Sequence, residues 1–241
     1  MRATAAAAPL LITHQDPGAA ASEAFRVLRT NLQFMGLDKP LKSIMVTSAT
    51  PSEGKSTVAA NLAVAFAQAG SRVCLVDADL RRPMVAKTLG LTNYAGLTTA
   101  LISQEGLEGH LQETDIPGLT VLASGPVPPN PAELLATKRM NTLLAQLEEQ
   151  FDMVIVDSAP VLAVTDAAVV APKVGGTLLV VRAGQTPRQE ARLAKEALEA
   201  VKANVLGVVL GAIKAEGHQG YYYYDYGASG TEQQPYKKRK R

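Results

Sequence analysis

Between Ala49 and Thr57 the chain reads A-T-P-S-E-G-K-S-T. This matches G-x-x-x-x-G-K-[ST], except that Ala49 stands in place of the first glycine. Residues of these types at this spacing bind phosphate. Backbone N–H groups of a tight loop, and of the helix N-terminus after it, point at an anion. Gly54 lets the backbone approach the phosphates closely. Lys55 neutralises the β- and γ-phosphates, the Ser56 hydroxyl ligates Mg²⁺, and Thr57 faces the α-phosphate. Pro51, Ser52 and Glu53 complete the nucleotide-contacting stretch Pro51 to Thr57.

Three carboxylates are placed to share that site. Asp77 and Asp79 end the run V-C-L-V-D-A-D-L-R-R-P, and Asp157 ends F-D-M-V-I-V-D-S-A-P. Ligands of a parallel sheet bind at the carboxyl ends of its strands, so all three side chains converge there. A single aspartate at a strand end often serves only as a helix cap. Three at the edge that carries a phosphate loop point to a common site. Asp157 reads as a second Mg²⁺ anchor, and one of Asp77 and Asp79 orients the attacking group.

The attacking group decides the activity. Water makes an ATPase, and a hydroxyl makes a kinase. The chain has seven tyrosines, and five of them fall within G-Y-Y-Y-Y-D-Y-G, Gly220 to Gly227. Tyr236 follows in the same tail, and only Tyr94 lies elsewhere. A core spreads its aromatics among its elements, so packing does not account for this cluster. The phenols of Tyr221, Tyr222, Tyr223, Tyr224, Tyr226 and Tyr236 are candidate phosphate acceptors.

The elements that position these residues follow from the pattern. Apolar residues make up 47% of 241 positions, enough for a substantial core in one domain. S-I-M-V-T-S (43–48), 72–77, 119–123, 153–157, 177–182 and 205–213 read as strands. Helical patterns at 56–68, 131–150 and 187–202 alternate with them. Continuously apolar strands alternating with helices predict an α/β fold, a mostly parallel sheet covered on both faces. Residues 1–21, rich in Ala with Pro9, Pro17 and Gly18, read as a flexible lead-in. Ser22 is the expected cap of a helix over 22–35 with Phe25, Leu28 and Leu32 on one face. The domain then runs over 22–214, and 215–241 is a Tyr-rich tail ending in five basic residues.

Composition excludes several classes. The net charge of +2 gives no global field for nucleic acid, and the basic run is confined to the end. No stretch approaches the roughly 18 apolar residues of a membrane span, and no signal peptide is evident. Cys74, the single cysteine, lies in an apolar run and reads as a core residue in a reducing compartment. His14, His110 and His218 are scattered, so a transition-metal site is not expected.

Taken together, these motifs resemble the bacterial tyrosine kinases that control capsule and exopolysaccharide production. S-A-T-P-S-E-G-K-S-T is similar to their phosphate loop, V-D-A-D-L-R-R-P to their additional acidic motif, and V-I-V-D-S-A-P to their second acidic strand. G-P-V-P-P-N-P-A-E-L-L resembles their Pro-rich connection, and E-A-F-R-V-L-R their E-x-x-R-x-x-R oligomerisation motif. The tyrosine cluster lies where that family carries its autophosphorylation sites.

The resemblance implies a three-layer α/β/α domain of the P-loop NTPase type. It implies that Lys55 and Ser56 bind ATP and Mg²⁺, that Asp77 contacts the incoming tyrosine as its base, and that Asp79 and Asp157 organise the metal. Glu23, Arg26 and Arg29 would bind a neighbouring subunit in a ring, with each tail phosphorylated in trans. A membrane-spanning chain-length protein would activate the kinase, and a tyrosine phosphatase would reverse it. The chain would then be cytoplasmic, held at the inner face of the membrane through that partner. Ser52 stands where the family usually has glycine, and Gly211 where many relatives have an asparagine that touches adenine. Two other readings remain open: a switch ATPase of the partition or septum-placing class, and a nucleotide-binding scaffold without turnover.

Overall fold

The computed structural model describes residues 11–36, 40–103 and 106–213. In chain order the helices and strands are α1 (Ile12–Gln15), α2 (Ala20–Met35), β1 (Ser43–Ser48), α3 (Lys55–Gln68), β2 (Val73–Ala78), α4 (Val85–Leu89), α5 (Leu97–Ile102), β3 (Gln112–Glu113) and β4 (Leu119–Leu122). They continue with α6 (Pro131–Ala136), α7 (Lys138–Gln150), β5 (Met153–Ser158), α8 (Asp166–Val170), β6 (Gly176–Arg182), α9 (Arg188–Ala200) and β7 (Val205–Gly211). The seven strands form one sheet in the order β3-β4-β2-β5-β1-β6-β7. Every pairing is parallel except the short β3 against β4.

The side-chain period of two sorts the strand residues into two cores. Ile44, Val46, Val73, Leu75, Ile155, Leu178 and Val180 face α3 and Leu32 of α2. Met45, Cys74, Val76, Val154, Val156 and Leu179 face Leu143, Leu144 and Leu147 of α7 and Leu198 of α9. Helices on both faces of a parallel sheet give the expected three layers. α3 is buried along nearly its whole length, because α2 covers its outer side. Its alanines at 59, 60, 63, 65 and 67 permit that close double packing.

Several boundaries differ from expectation. The lead-in is not loose where the structure describes it. Leu11 and Thr13 are buried, the Thr13 N–H donates to Asn61 Oδ1 (2.9 Å), and Gln68 Nε2 donates to the Thr13 carbonyl (3.1 Å). Ser22 is not a cap. It lies inside α2, and its hydroxyl bonds the Ile12 and Asp16 carbonyls, tying α1 to α2. The helix expected over 131–150 is two helices. Thr137 is extended between them, and its hydroxyl caps α7 by accepting the Met140 N–H.

The chain separates into two units, Met1–Gly211 and Ala212–Arg241. The six candidate tail tyrosines lie outside the described residues. Among the described residues no helix is long and apolar enough to cross a membrane.

Candidate active site

The phosphate loop joins β1 to α3 at the carboxyl edge of the sheet, as the motif requires. Gly54 is left-handed (φ 97°) at the N-terminus of α3. Ala49 is buried without a positive φ, so a glycine is not needed at that position. Ser52 is different. It adopts φ 68°, the left-handed region in which a side chain is strained and glycine is at ease. Pro51 and Ser52 are exposed, whereas Ser56 and Thr57 are half-buried in the first turn of α3. Glu53, expected at the nucleotide, instead turns inward and is only 3% exposed.

Parallel register assembles the acidic residues. Asp77 and Asp157 are paired residues of β2 and β5, and the strand period turns both toward α3. Lys55, the first residue of α3, meets them there. Its ammonium lies 2.7 Å from Asp79 Oδ2 and 3.4 Å from Asp157 Oδ1, and donates to Ser56 Oγ at 3.1 Å. All three aspartates and Lys55 are buried.

Burial pulls the Lys55 pKa down, but the charges of Asp157 and Asp79 outweigh it and hold the lysine above its ordinary value. Burial, with the nearby Asp157 charge, pushes Asp77 up to about 8 against the pull of the Val85 N–H and Lys55. Asp157 is likewise raised by burial, opposed by Lys55 and by a hydrogen bond to Ser56.

The two members of the Asp77/Asp79 pair have separate local duties. Asp77 accepts the Met84 and Val85 N–H groups (3.0 and 2.9 Å) at the start of α4, and the Asp79 N–H at 3.2 Å. Asp79 Oδ1 accepts the Arg82 N–H (3.0 Å), leaving Oδ2 to Lys55. Asp157 Oδ2 is buried with no hydrogen-bond partner among the described residues. Ser56, Asp79 and Asp157 thus offer hard oxygen donors around a point where a cation already sits. That donor set fits Mg²⁺, which keeps several waters and takes few protein ligands. No group of three or more His, Cys, Asp or Glu among the described residues forms a closed metal cage.

One link was not visible in the sequence. Arg81 grips Asp166 with two parallel bonds, 2.9 and 3.0 Å, and Asp166 is fully buried. The partners are 85 residues apart, and only an acidic first turn at α8 hinted at the carboxylate.

The proposed oligomerisation residues are engaged within the chain. Glu23 pairs with Arg26 at 2.6 Å, Arg26 also donates to the Pro17 carbonyl, and Arg29 Nη1 donates to Ala65 of α3 at 3.0 Å.

The family model of the CobQ/CobB/MinD/ParA nucleotide binding domain matches residues 44–220. Tyrosine-protein kinase YwqD of Bacillus subtilis (strain 168) is 45% identical over 214 residues, 89% of this chain and 90% of that protein. The chain belongs to the bacterial tyrosine kinases. The kinase domain of Escherichia coli tyrosine kinase ETK matches with a TM-score of 0.81 at 36% identity, over 90% of this chain and 87% of that one. The complete etk protein of Escherichia coli (strain K12) is 40% identical over 208 residues, 86% of this chain but 29% of that protein. The cell division ATPase MinD of Pyrococcus furiosus shares the fold, with a TM-score of 0.61 at 24% identity over 70% of this chain and 71% of that one. A bacterial tyrosine kinase is thus built on a nucleotide-binding α/β domain, and the cluster around Lys55 lies at its phosphate loop.

Proposed function

We propose that this kinase uses ATP and Mg²⁺ to phosphorylate its own tail at Tyr221, Tyr222, Tyr223, Tyr224, Tyr226 and Tyr236. The observation that carries the reading is the convergence of Lys55, Ser56, Asp79 and Asp157 at the head of α3. ATP with Mg²⁺ supplies the transferable γ-phosphoryl group. Lys55 leaves Asp79 and turns to the β- and γ-phosphates. Ser56, with Asp79 and Asp157, would hold the metal, and the loop N–H groups would take the remaining phosphate charge. Asp77 orients a tail phenol and accepts its proton. In the free chain burial and the Asp157 charge hold its pKa at about 8, so it is mostly protonated near neutral pH, and Mg²⁺ bound beside it would lower that value and free the carboxylate to act as base.

The tail from 214 to 241 spans up to about 90 Å when extended, which allows transfer to a neighbouring subunit. Glu23, Arg26 and Arg29 would bind that neighbour in a ring, a role supported by the motif they form. Each phosphotyrosine adds about −1.5 to −2 charges, so a modified cluster repels its neighbours and loosens the ring. This cycle would regulate polysaccharide chain length and export. A membrane-spanning activator would hold the kinase at the inner membrane face, and a tyrosine phosphatase would reset the tail. The polysaccharide role rests on the family resemblance.

A switch ATPase is the second reading, favoured by the full burial of Asp77 and its three backbone bonds. Mass spectrometry of the chain incubated with ATP and Mg²⁺, beside Lys55→Met, separates the two. Phosphate on the tail tyrosines that is absent from the variant is expected. Steady phosphate release over a bare tail would establish the ATPase instead.

A further inference from the structure

The inward turn of Glu53 exposes a second set of residues on which the phosphate loop depends. Glu53 Oε2 accepts the Thr50 N–H, and Oε1 accepts the Thr50 hydroxyl, each at 3.0 Å. Oε1 also accepts the Thr186 hydroxyl at 2.5 Å, although Thr186 is 133 residues away. The Thr186 hydroxyl in turn accepts the Arg182 N–H at 2.8 Å, so its single donor and a lone pair are both used. The Arg182 side chain crosses back to the loop and donates from Nη1 to the Ser52 carbonyl at 3.2 Å. The turn 182–186 is itself closed, because the Arg182 carbonyl accepts the Gln185 and Thr186 N–H groups.

These bonds converge on the loop residue that most needs support. Ser52 holds φ 68°, a conformation that costs a non-glycine residue roughly 1–2 kcal/mol. Such a backbone persists only where its surroundings over-determine it. Hydrogen bonds to a buried carboxylate are stronger than neutral ones, and Glu53 receives three.

We propose that Thr186 and Arg182, on the turn between β6 and α9, are positioning residues for the nucleotide site. They act through Glu53 and the Ser52 carbonyl to hold residues 50–54 in the shape that leaves the following loop and helix N–H groups free to receive phosphate. The inference rests on the nucleotide-binding reading of this loop.

Thr186→Val keeps the size of the side chain and deletes the hydroxyl, and Thr186→Ser restores it. Affinity for a fluorescent ATP analogue with Mg²⁺ is measured on the full chain, together with KM for ATP, kcat and the melting temperature. Thr186→Val is expected to weaken binding and raise KM about tenfold, with kcat at saturating ATP within twofold of the parent. Thr186→Ser recovers the parent values, and Arg182→Gln follows Thr186→Val. Should Thr186→Val fail to fold, Arg182→Gln carries the same comparison. Unchanged affinity in the folded variants, or no recovery with serine, overturns the proposal. A parent chain that binds no analogue defeats the kinase reading and this one together, whereas parent binding with indifferent variants defeats this one alone.

Discussion

Asp77 and Asp157 are direct partners across the β2–β5 pair, two buried carboxylates on one face of adjacent parallel strands. Like charges so placed resist ionising together, and Lys55 offsets only part of the cost. The pair is the electrostatic centre of the site.

Burial first, and then the Asp157 charge, let Asp77 keep its proton to about pH 8, whereas the unfolded chain loses it near the ordinary 3.8. Between those values the folded state binds more protons than the unfolded state, so stability falls as pH rises through the window. Asp77→Asn removes this slope, at the constant cost of one backbone hydrogen bond. Thermal melting in metal-free buffer is expected to show the variant gaining on the parent between pH 5 and pH 8. A difference that stays constant across that range would mean Asp77 is ionised throughout.

Ser52→Gly relieves the left-handed strain in the phosphate loop. The gain is about 1 kcal/mol, less the entropy of a freer unfolded chain. The melting temperature is expected to rise by about 2–4 °C with binding of ATP retained. A fall in melting temperature would show that the serine side chain contributes more than its backbone costs.

Arg81→Ala leaves the Asp166 carboxylate buried without its partner. Arg81 is partly exposed, its side chain at 40%, so solvent screening keeps the loss to about 2 kcal/mol. Arg81→Lys recovers only part of it, because one ammonium cannot reproduce two parallel bonds. Urea denaturation of Arg81→Ala, Asp166→Asn and the double variant Arg81→Ala/Asp166→Asn measures the coupling. Additive losses would mean that the pair does no joint work.

The longer strands and the helices α2, α3 and α9 were legible in the chain because each signal is local, whereas the short α1, α4, α5, α8 and β3 were not read from it. G-K-S at Gly54 to Ser56 names a phosphate loop wherever a strand precedes it and a helix follows. The runs ending in Asp77 and Asp157 carry both the strand signal and the acidic end. Continuously apolar runs alternating with helical patterns are enough to predict a parallel sheet, and they are why β1, β2, β5 and β6 emerged close to their expected bounds. The tyrosine cluster is equally plain from composition, though it lies outside the described residues.

What needed the tertiary structure is every choice between partners distant in sequence. Glu53 could face solvent, nucleotide or protein, and Thr186, with Thr50 of its own loop, holds it inward. Arg81 gains its partner only because α8 brings Asp166 beneath it. Ser22 looks like a cap until α1 folds back to take its hydroxyl. Lys55 carries a cation that any nearby anion could take, yet its approach to Asp79 rather than Asp157 is a matter of 2.7 against 3.4 Å. A sequence states which groups can bond, because that is chemistry carried by each residue. Which of them do bond depends on distances that exist only after the sheet has set its register.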